Sequence, residues 1–221
     1  MKRLCVIVAL LATLTSLAVA VYAEDQERTR TLEVMGGAVF NVKTPLKIEQ
    51  SGQPNIDIDS AEYDTKPFQS PIYYSVRFAN WRGDRATEVE LIHQKLFLQN
   101  GQAEVQRFDI SHGFNMLFLN KAWKKDGLIF HFGGGAVITH PENTVRNLPL
   151  PQDGGLFDRG YYLSGAAVQF AVGKEIPISG RLFGVLEGKV TAAYAKVKVV
   201  DGHANVSNVA LHGLFGVGYK F

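Results

Sequence analysis

"GLFGVGYKF", Gly213–Phe221, closes the chain. Counting back from its last residue, Phe221, Tyr219, Val217, Phe215, Gly213, Leu211 and Val209 share one parity, bulky and apolar apart from the glycine. Lys220, Gly218, Gly216, Leu214, His212, Ala210 and Asn208 share the other, small or polar apart from Leu214. A period of two belongs to a β-strand with one apolar and one polar face. The apolar face runs to the final residue, so its cover must come from outside the strand.

The opening residues supply the context. "MKRLCVIVALLATLTSLAVAVYA" has a basic start at Lys2 and Arg3, an apolar stretch and small residues at Val21 and Ala23. It reads as a secretory signal peptide over residues 1–23, leaving a single domain over 24–221. The only cysteine, Cys5, falls in the signal, which excludes disulfides, thiolate catalysis and Cys-ligated zinc in the mature chain. A net charge of +2 and no basic patch argue against a nucleic-acid partner. Mean hydropathy is −0.01 and glycines number 22. The chain is thus either a secreted β-rich protein or a transmembrane barrel, whose strands raise no helix-type hydropathy signal.

Eight strand-like stretches follow, over Thr31–Lys43, Pro71–Trp81, Thr87–Leu98, Phe108–Asn120, Leu128–His140, Tyr161–Lys174, Arg181–Val197 and the closing segment. Their connections alternate between long and short, the first being a long polar segment reaching Ser70. That layout predicts an all-β, eight-stranded antiparallel up-and-down transmembrane β-barrel with tight periplasmic turns, longer extracellular loops and both termini in the periplasm. The expected location is the outer membrane of a Gram-negative bacterium. The aromatic ending resembles the C-terminal signal of outer-membrane barrels, which implies insertion by the outer-membrane assembly machinery. A soluble lectin-like sandwich, whose half-buried strands also alternate, is the competing architecture.

Sorting polar residues by parity yields a candidate site. His93, Lys95 and Phe97 continue the outward row of Val89 and Leu91, while Glu88, Glu90, Ile92 and Gln94 face the lumen. His112 shares its parity with Phe114, Met116 and Phe118, read as a second outward row. His140 ends a third, Phe130–Phe132–Ala136–Ile138. A hairpin centred near Gln102 and Ala103 sets His93 opposite His112, with Glu142 and Glu104 in range. Three imidazoles at the extracellular rim, at the depth of lipid A headgroups, suit a divalent or redox metal, or acid–base chemistry on a lipid A sugar. The plainer reading is that they hydrogen-bond lipid phosphates. His131 and His212 are expected in an internal network with Arg77, Glu88, Glu90 and Glu187, and His203 in a solvated loop. Ser111 and His112, adjacent on a strand, point to opposite faces and pair only if the strand is distorted.

The succession "PIYYSVRFANW", "VELIHQKLF", "FDISHGFNMLFLN", "GGGAVITHPE" and "YYLSGAAVQ" is similar to the outer-membrane lipid A oxidase family, from about Pro71 onward. The resemblance implies oxygen-dependent oxidation of the proximal glucosamine of outer-leaflet lipid A to 2-aminogluconate. It places His93, Lys95, Asn115 and His140 on matching elements. The family pattern has an acidic residue where this chain has His112. The candidate catalytic set is therefore His93, His112, His140, Lys95 and Asn115, with His93, His112 and His140 as metal ligands and molecular oxygen as oxidant. The alternative is a non-catalytic structural or surface-interaction barrel in the same membrane. Lipid A deacylase barrels use His-x-Ser on one strand face, and no histidine here is followed two residues later by serine.

Overall fold

The structure, a computed structural model, describes residues 28–221; the expected signal peptide lies outside the described residues. In chain order the strands are β1 (Arg28–Val42), β2 (Thr44–Gln50), β3 (Ile56–Ala61), β4 (Tyr63–Asp64), β5 (Tyr74–Arg82), β6 (Arg85–Leu98) and β7 (Val105–Lys125). There follow β8 (Leu128–Thr139), β9 (Glu142–Val145), β10 (Leu148–Pro149), β11 (Tyr162–Ser179), β12 (Leu182–Val199) and β13 (Gly202–Lys220). The antiparallel ring β1–β5–β6–β7–β8–β11–β12–β13 closes where β13 pairs with β1, from Val42↔Val209 down to Thr31↔Lys220. Pairing continues past the strand end: the Phe221 amide donates to the Arg30 carbonyl at 3.0 Å, and the Arg30 amide donates back at 3.2 Å. The eight-stranded barrel expected from the sequence is the observed one.

Side-chain alternation explains why the ring needs lipid. Val217, Phe215 and Leu211 of β13, Leu32, Val34 and Phe40 of β1, Phe78 of β5, Leu119 of β7 and Phe132 of β8 all point outward and are exposed. A belt of this extent is far larger than the apolar patches that soluble monomers tolerate. Tyr219 stacks on Phe221 with centroids 6.4 Å apart and Trp123 on Phe130 at 5.7 Å, while Phe221 packs tilted against Phe78 at 6.1 Å. These rings form a girdle beside the two-residue turns, where a membrane interface places aromatics. From Val209 to Tyr219 the strand covers about 34 Å at about 3.4 Å per residue. At a tilt of about 40° that is about 26 Å of depth, the height of an outer-membrane apolar band.

Inside the barrel, a polar layer lies above an apolar plug of Trp81, Ala86, Ala122 and Ile129 at the turn end. Arg77 lies 3.0 Å from Glu33, 3.3 Å from Glu90 and 2.7 Å from Glu187. Lys189 is bonded to Glu90 and lies 3.3 Å from Glu187, and His131 lies 3.0 Å from Glu88. Gln169 and Asn120 donate to Glu90 at 2.7 and 3.1 Å. All these side chains are buried, so the lumen at this level is filled by paired charge. The expected network is therefore present, except that His212 forms its own buried group with Tyr73 and Thr191, each at 2.9 Å.

The outer half differs from expectation in three respects. The polar segment after Asn41 is not a loop. β2 carries on along β13 (Leu46↔Val206), pairs with β3, and extends the wall around an apolar interior of Leu46, Ile48, Ile56, Phe108, Val197 and Val206. The last extracellular connection is a tight turn at Val200–Asp201 rather than a loop, and His203, in β13, lies 3.2 Å from Glu49. The parity read for β7 is reversed: Phe114, Met116 and Phe118 are fully buried inside the barrel, whereas Leu117 and Leu119 face lipid. Both faces of this strand carry large apolar residues, and alternation alone does not say which is the inner one.

Replacing Arg77 by alanine leaves four buried carboxylates facing one lysine and one histidine. Breaking a buried ion pair by removing one partner costs about 3–5 kcal/mol. Urea unfolding of the refolded barrel in lipid should show a loss of that order for R77A; an unchanged midpoint would remove the network from the stability account.

Candidate functional site

The site is built by one irregularity in β7. Against β6, Gln94 pairs with Phe114 and Leu96 with Ile110, so Ser111, His112 and Gly113 together oppose Lys95 alone. Gly113 has φ 128°, in the region that favours glycine, and a Cβ there would meet the Asn115 side chain at 2.3 Å. This bulge throws His112 outward although its parity is that of the buried Phe114. The distortion also lets Ser111 Oγ approach His112 Nδ1, at 3.1 Å.

His140 arrives beside it from the end of β8, its amide donating to the Gly113 carbonyl at 3.0 Å. The His112 and His140 rings are 4.9 Å apart, and Tyr161 packs edge-on against His140 at 4.7 Å. Gly160, at φ 68°, allows the closing loop to sit on His140; a Cβ there would lie 3.0 Å from Nε2. Glu142, on β9, completes the group: its Oε1 lies 2.7 Å from His112 Nδ1 and accepts from Ser111 Oγ at 2.5 Å, while Oε2 is bonded to Arg107. Arg107 also donates to Asp109 at 2.6 Å. The cluster opens into a hollow of about 490 Å³ walled by β7, β9 and the Pro149–Gln152 segment. That volume is within the range of about 300–1,000 Å³ usual for small-molecule sites.

Donor atoms of His112, His140 and Glu142 lie within 4.8 Å of one another. Around a metal with bonds of about 2.1 Å, adjacent donors are about 3 Å apart, so modest side-chain rotation would close the set. Two features suit a cation. Nδ1 of His140 is buried without a hydrogen-bond partner. The titration states also fit: burial pushes the His140 imidazole below its ordinary value, with the His112 charge adding to it. Burial alone would raise Glu142, but the Ser111 hydrogen bond and the Arg107 charge outweigh it and hold the carboxyl below its usual range. Both groups are thereby kept in their ligating forms.

The other expected members stand apart. His93 pairs with Asn115, not with His112: Nδ1 lies 2.7 Å from Asn115 Oδ1, and the ring stacks on Tyr74 at 5.1 Å. The register expectation failed because the bulge adds residues to one arm of the hairpin. Lys95 faces outward but is buried under the first connection, its Nζ donating to the Gln69 carbonyl at 2.7 Å. Glu104 pairs with Arg146 at 2.8 Å instead of joining the rim. Glu142, expected within range of the histidines, does join them, and Arg107 is the addition that the sequence reading did not name.

No known family's sequence profile matches the chain, and no curated protein matches it. Among solved structures it is similar to the outer membrane protein AlkL determined in DMPC bilayers, at 13% identity over 87% of this chain and 90% of that one, with a TM-score of 0.50. Lower similarities are to OprG of Pseudomonas aeruginosa (11% identity, 88% and 94% covered, TM-score 0.41) and Ail of Yersinia pestis (7%, 88% and 97%, 0.37). The likeness to AlkL shows the fold to be that of a small outer-membrane β-barrel.

Cobalt(II) titration of the refolded barrel, read by visible absorption, should show one bound ion. H112A, H140A and E142Q should each weaken it by at least about 10-fold, the loss that even outer-shell partners bring, while H93A leaves it unchanged. Binding should weaken as pH falls, because protons compete with the metal for its ligands. Equal affinity in all four variants would dismantle the site.

Proposed function

We propose that this protein resides in the outer membrane of a Gram-negative bacterium and acts there on the outer leaflet, oxidising the proximal glucosamine of lipid A. One observation carries the reading: two imidazoles and a carboxylate meet on the membrane-facing wall at headgroup height. Phe130 marks the turn-side girdle, and His140 lies farther along the same outward row. At about 3.4 Å per residue and a tilt of about 40°, that places His140 about 26 Å above Phe130, one apolar band away. A lipid A sugar is brought to this height by its own acyl chains, without leaving the membrane.

Two histidines and one carboxylate form the donor set of non-haem iron(II) oxygenases. Iron bound there would supply the activation of dioxygen that the chain's own side chains lack. The remaining residues have separable tasks. Arg107 aims Glu142 and is half exposed, with donors left for an anionic substituent on the sugar. Tyr161 and Gly160 hold the His140 ring in place. The reaction balances as a two-electron oxidation: the anomeric carbon loses its hydrogen, its hydroxyl loses a proton, and dioxygen becomes hydrogen peroxide. The resulting lactone opens with water to 2-aminogluconate. This requires a free anomeric hydroxyl, so the substrate is lipid A lacking the phosphate at that carbon.

A non-catalytic barrel is favoured by a different observation. Both oxygens of Glu142 already have partners in Ser111, His112 and Arg107, so this carboxylate is satisfied by hydrogen bonds alone.

Mass spectrometry of lipid A separates the two readings. Cells expressing the protein, given 1-dephosphorylated lipid A and oxygen, should gain one oxygen on the disaccharide, and H112A or H140A should abolish the gain while the barrel remains heat-modifiable. An unchanged spectrum in the parent strain, with folded protein present, would leave only the structural role.

A further inference from the structure

The opposite end of the barrel carries a second hollow, of about 1020 Å³, formed by the ends of β5, β6 and β7. Arg82, Arg85, Lys121, Lys124 and Lys125 line it, with Asp84 the single carboxylate in its wall. Lys124 is accounted for, lying over the Trp81 ring at 4.4 Å and 3.8 Å from Glu175. The other four cations are exposed and have no carboxylate within salt-bridge distance among the described residues; Lys121 only donates to Thr87 Oγ1, at 2.9 Å. The outer end behaves differently, pairing Lys43 with Glu62, Lys47 with Glu49, and Arg146 with Glu104.

Orientation decides what these charges meet. Arg82, Arg85, Lys121 and Lys125 take the same outward parity as the lipid-facing rows of their strands, so they point sideways into the membrane boundary rather than into the lumen. Trp123, also outward and stacked on Phe130, sits among them. Directly membraneward, Phe78, Val89 and Leu119 lie side by side in register, all exposed, with Phe132 beside Lys121. A basic recess at interfacial depth below an apolar strip has the two chemistries of one phospholipid molecule. The segment is also well tied, since the Lys124 amide donates to the Asp84 carbonyl across the two turns at 2.9 Å.

We infer that this hollow is a binding site for an anionic phospholipid of the periplasmic leaflet, its phosphate held by Arg82, Arg85, Lys121 and Lys125 and its acyl chains lying on Phe78, Val89 and Leu119. Four cations spread over two hairpins can meet two phosphates, so a diphosphate lipid such as cardiolipin fits better than phosphatidylglycerol. Lipid A belongs to the other leaflet and does not reach this end. The site is independent of the metal cluster and of any catalysis there.

Native mass spectrometry of the full barrel, refolded in detergent and titrated with cardiolipin, phosphatidylglycerol and phosphatidylethanolamine, tests this. Retention should follow that order. R82Q/R85Q/K121Q/K125Q should lose about tenfold or more of its cardiolipin affinity, and added salt should weaken the parent in the same sense. A control removing four outer-end charges, K43Q/K47Q/K196Q/K198Q, should keep the preference. If the quadruple variant fails to show heat-modifiable migration, the R82Q/R85Q and K121Q/K125Q pairs are read instead, each with a partial loss. Equal retention of cardiolipin and phosphatidylethanolamine, an unaffected variant, or lipid A competing as well as cardiolipin would each overturn the assignment.

Discussion

Everything in this molecule depends on hydrogen bonds that hydrocarbon cannot replace. A backbone amide or carbonyl left unpaired in lipid costs several kcal/mol, so a membrane-crossing sheet must have no edge. β13 meets that demand by pairing with β1 from Val209 to Lys220 and then, through Phe221 and Arg30, past its own end. With the ring closed, the apolar parity of the last strand has acyl chains as its cover and Tyr219 and Phe221 as its interfacial anchor. The lumen inherits the opposite problem. Its polar side chains are shut away from water, and Arg77 and Lys189 persist there only because Glu33, Glu90 and Glu187 surround them.

How much of this was legible in the sequence depends on the contrast between faces. On β13 one parity is bulky and the other small or polar, and on β6 the lumen side carries Glu88 and Glu90; both strands were oriented correctly from the residues alone. On β7 Phe114, Met116 and Phe118 oppose Leu117 and Leu119, and the alternation has no polarity to read. Reading Phe114, Met116 and Phe118 as the outward row therefore reverses the strand. The size of these residues reflects a second task. Beyond the polar network the interior becomes an ordinary hydrophobic core, shared farther out with β2 and β3. The segment carrying those strands, rich in Asp, Gln and Ser, concealed their alternating Leu46, Ile48, Ile56 and Ile58 behind polar neighbours.

The candidate site was found for a partly wrong reason. Parity placed His112 outside by assigning its whole strand backwards; the bulge at Ser111–Gly113 places it there in fact. A strand that never bulged would have buried His112 beside Phe114. Bulges depend on local backbone geometry and on what a glycine permits, so hydrophobic periodicity does not register them. The same inserted residues displaced the register, giving His93 to Asn115 and freeing Glu142 to meet His112 and His140. Distortion of one strand thus does what three regular ones could not: it aims side chains from β7, the end of β8 and β9 at a single point on the outer wall.

Arg107 then governs what that point can do. It neutralises Glu142 from the side away from the imidazoles, holding the carboxylate ionised while leaving the edge nearer His112 and His140 engaged only by hydrogen bonds. A cation entering between His112 and Glu142 would replace the hydrogen bond they share, and the carboxylate is held in its ionised, ligating form. Without Arg107, the partly buried carboxylate would face a higher desolvation penalty and take up a proton more readily, and the cluster would lose its anionic donor. The guanidinium is therefore a positioning group for Glu142, and its exposed half faces the same hollow a sugar substituent would enter. In the proposed reaction, one residue would link the charge state of the donors to the recognition of what binds beside them.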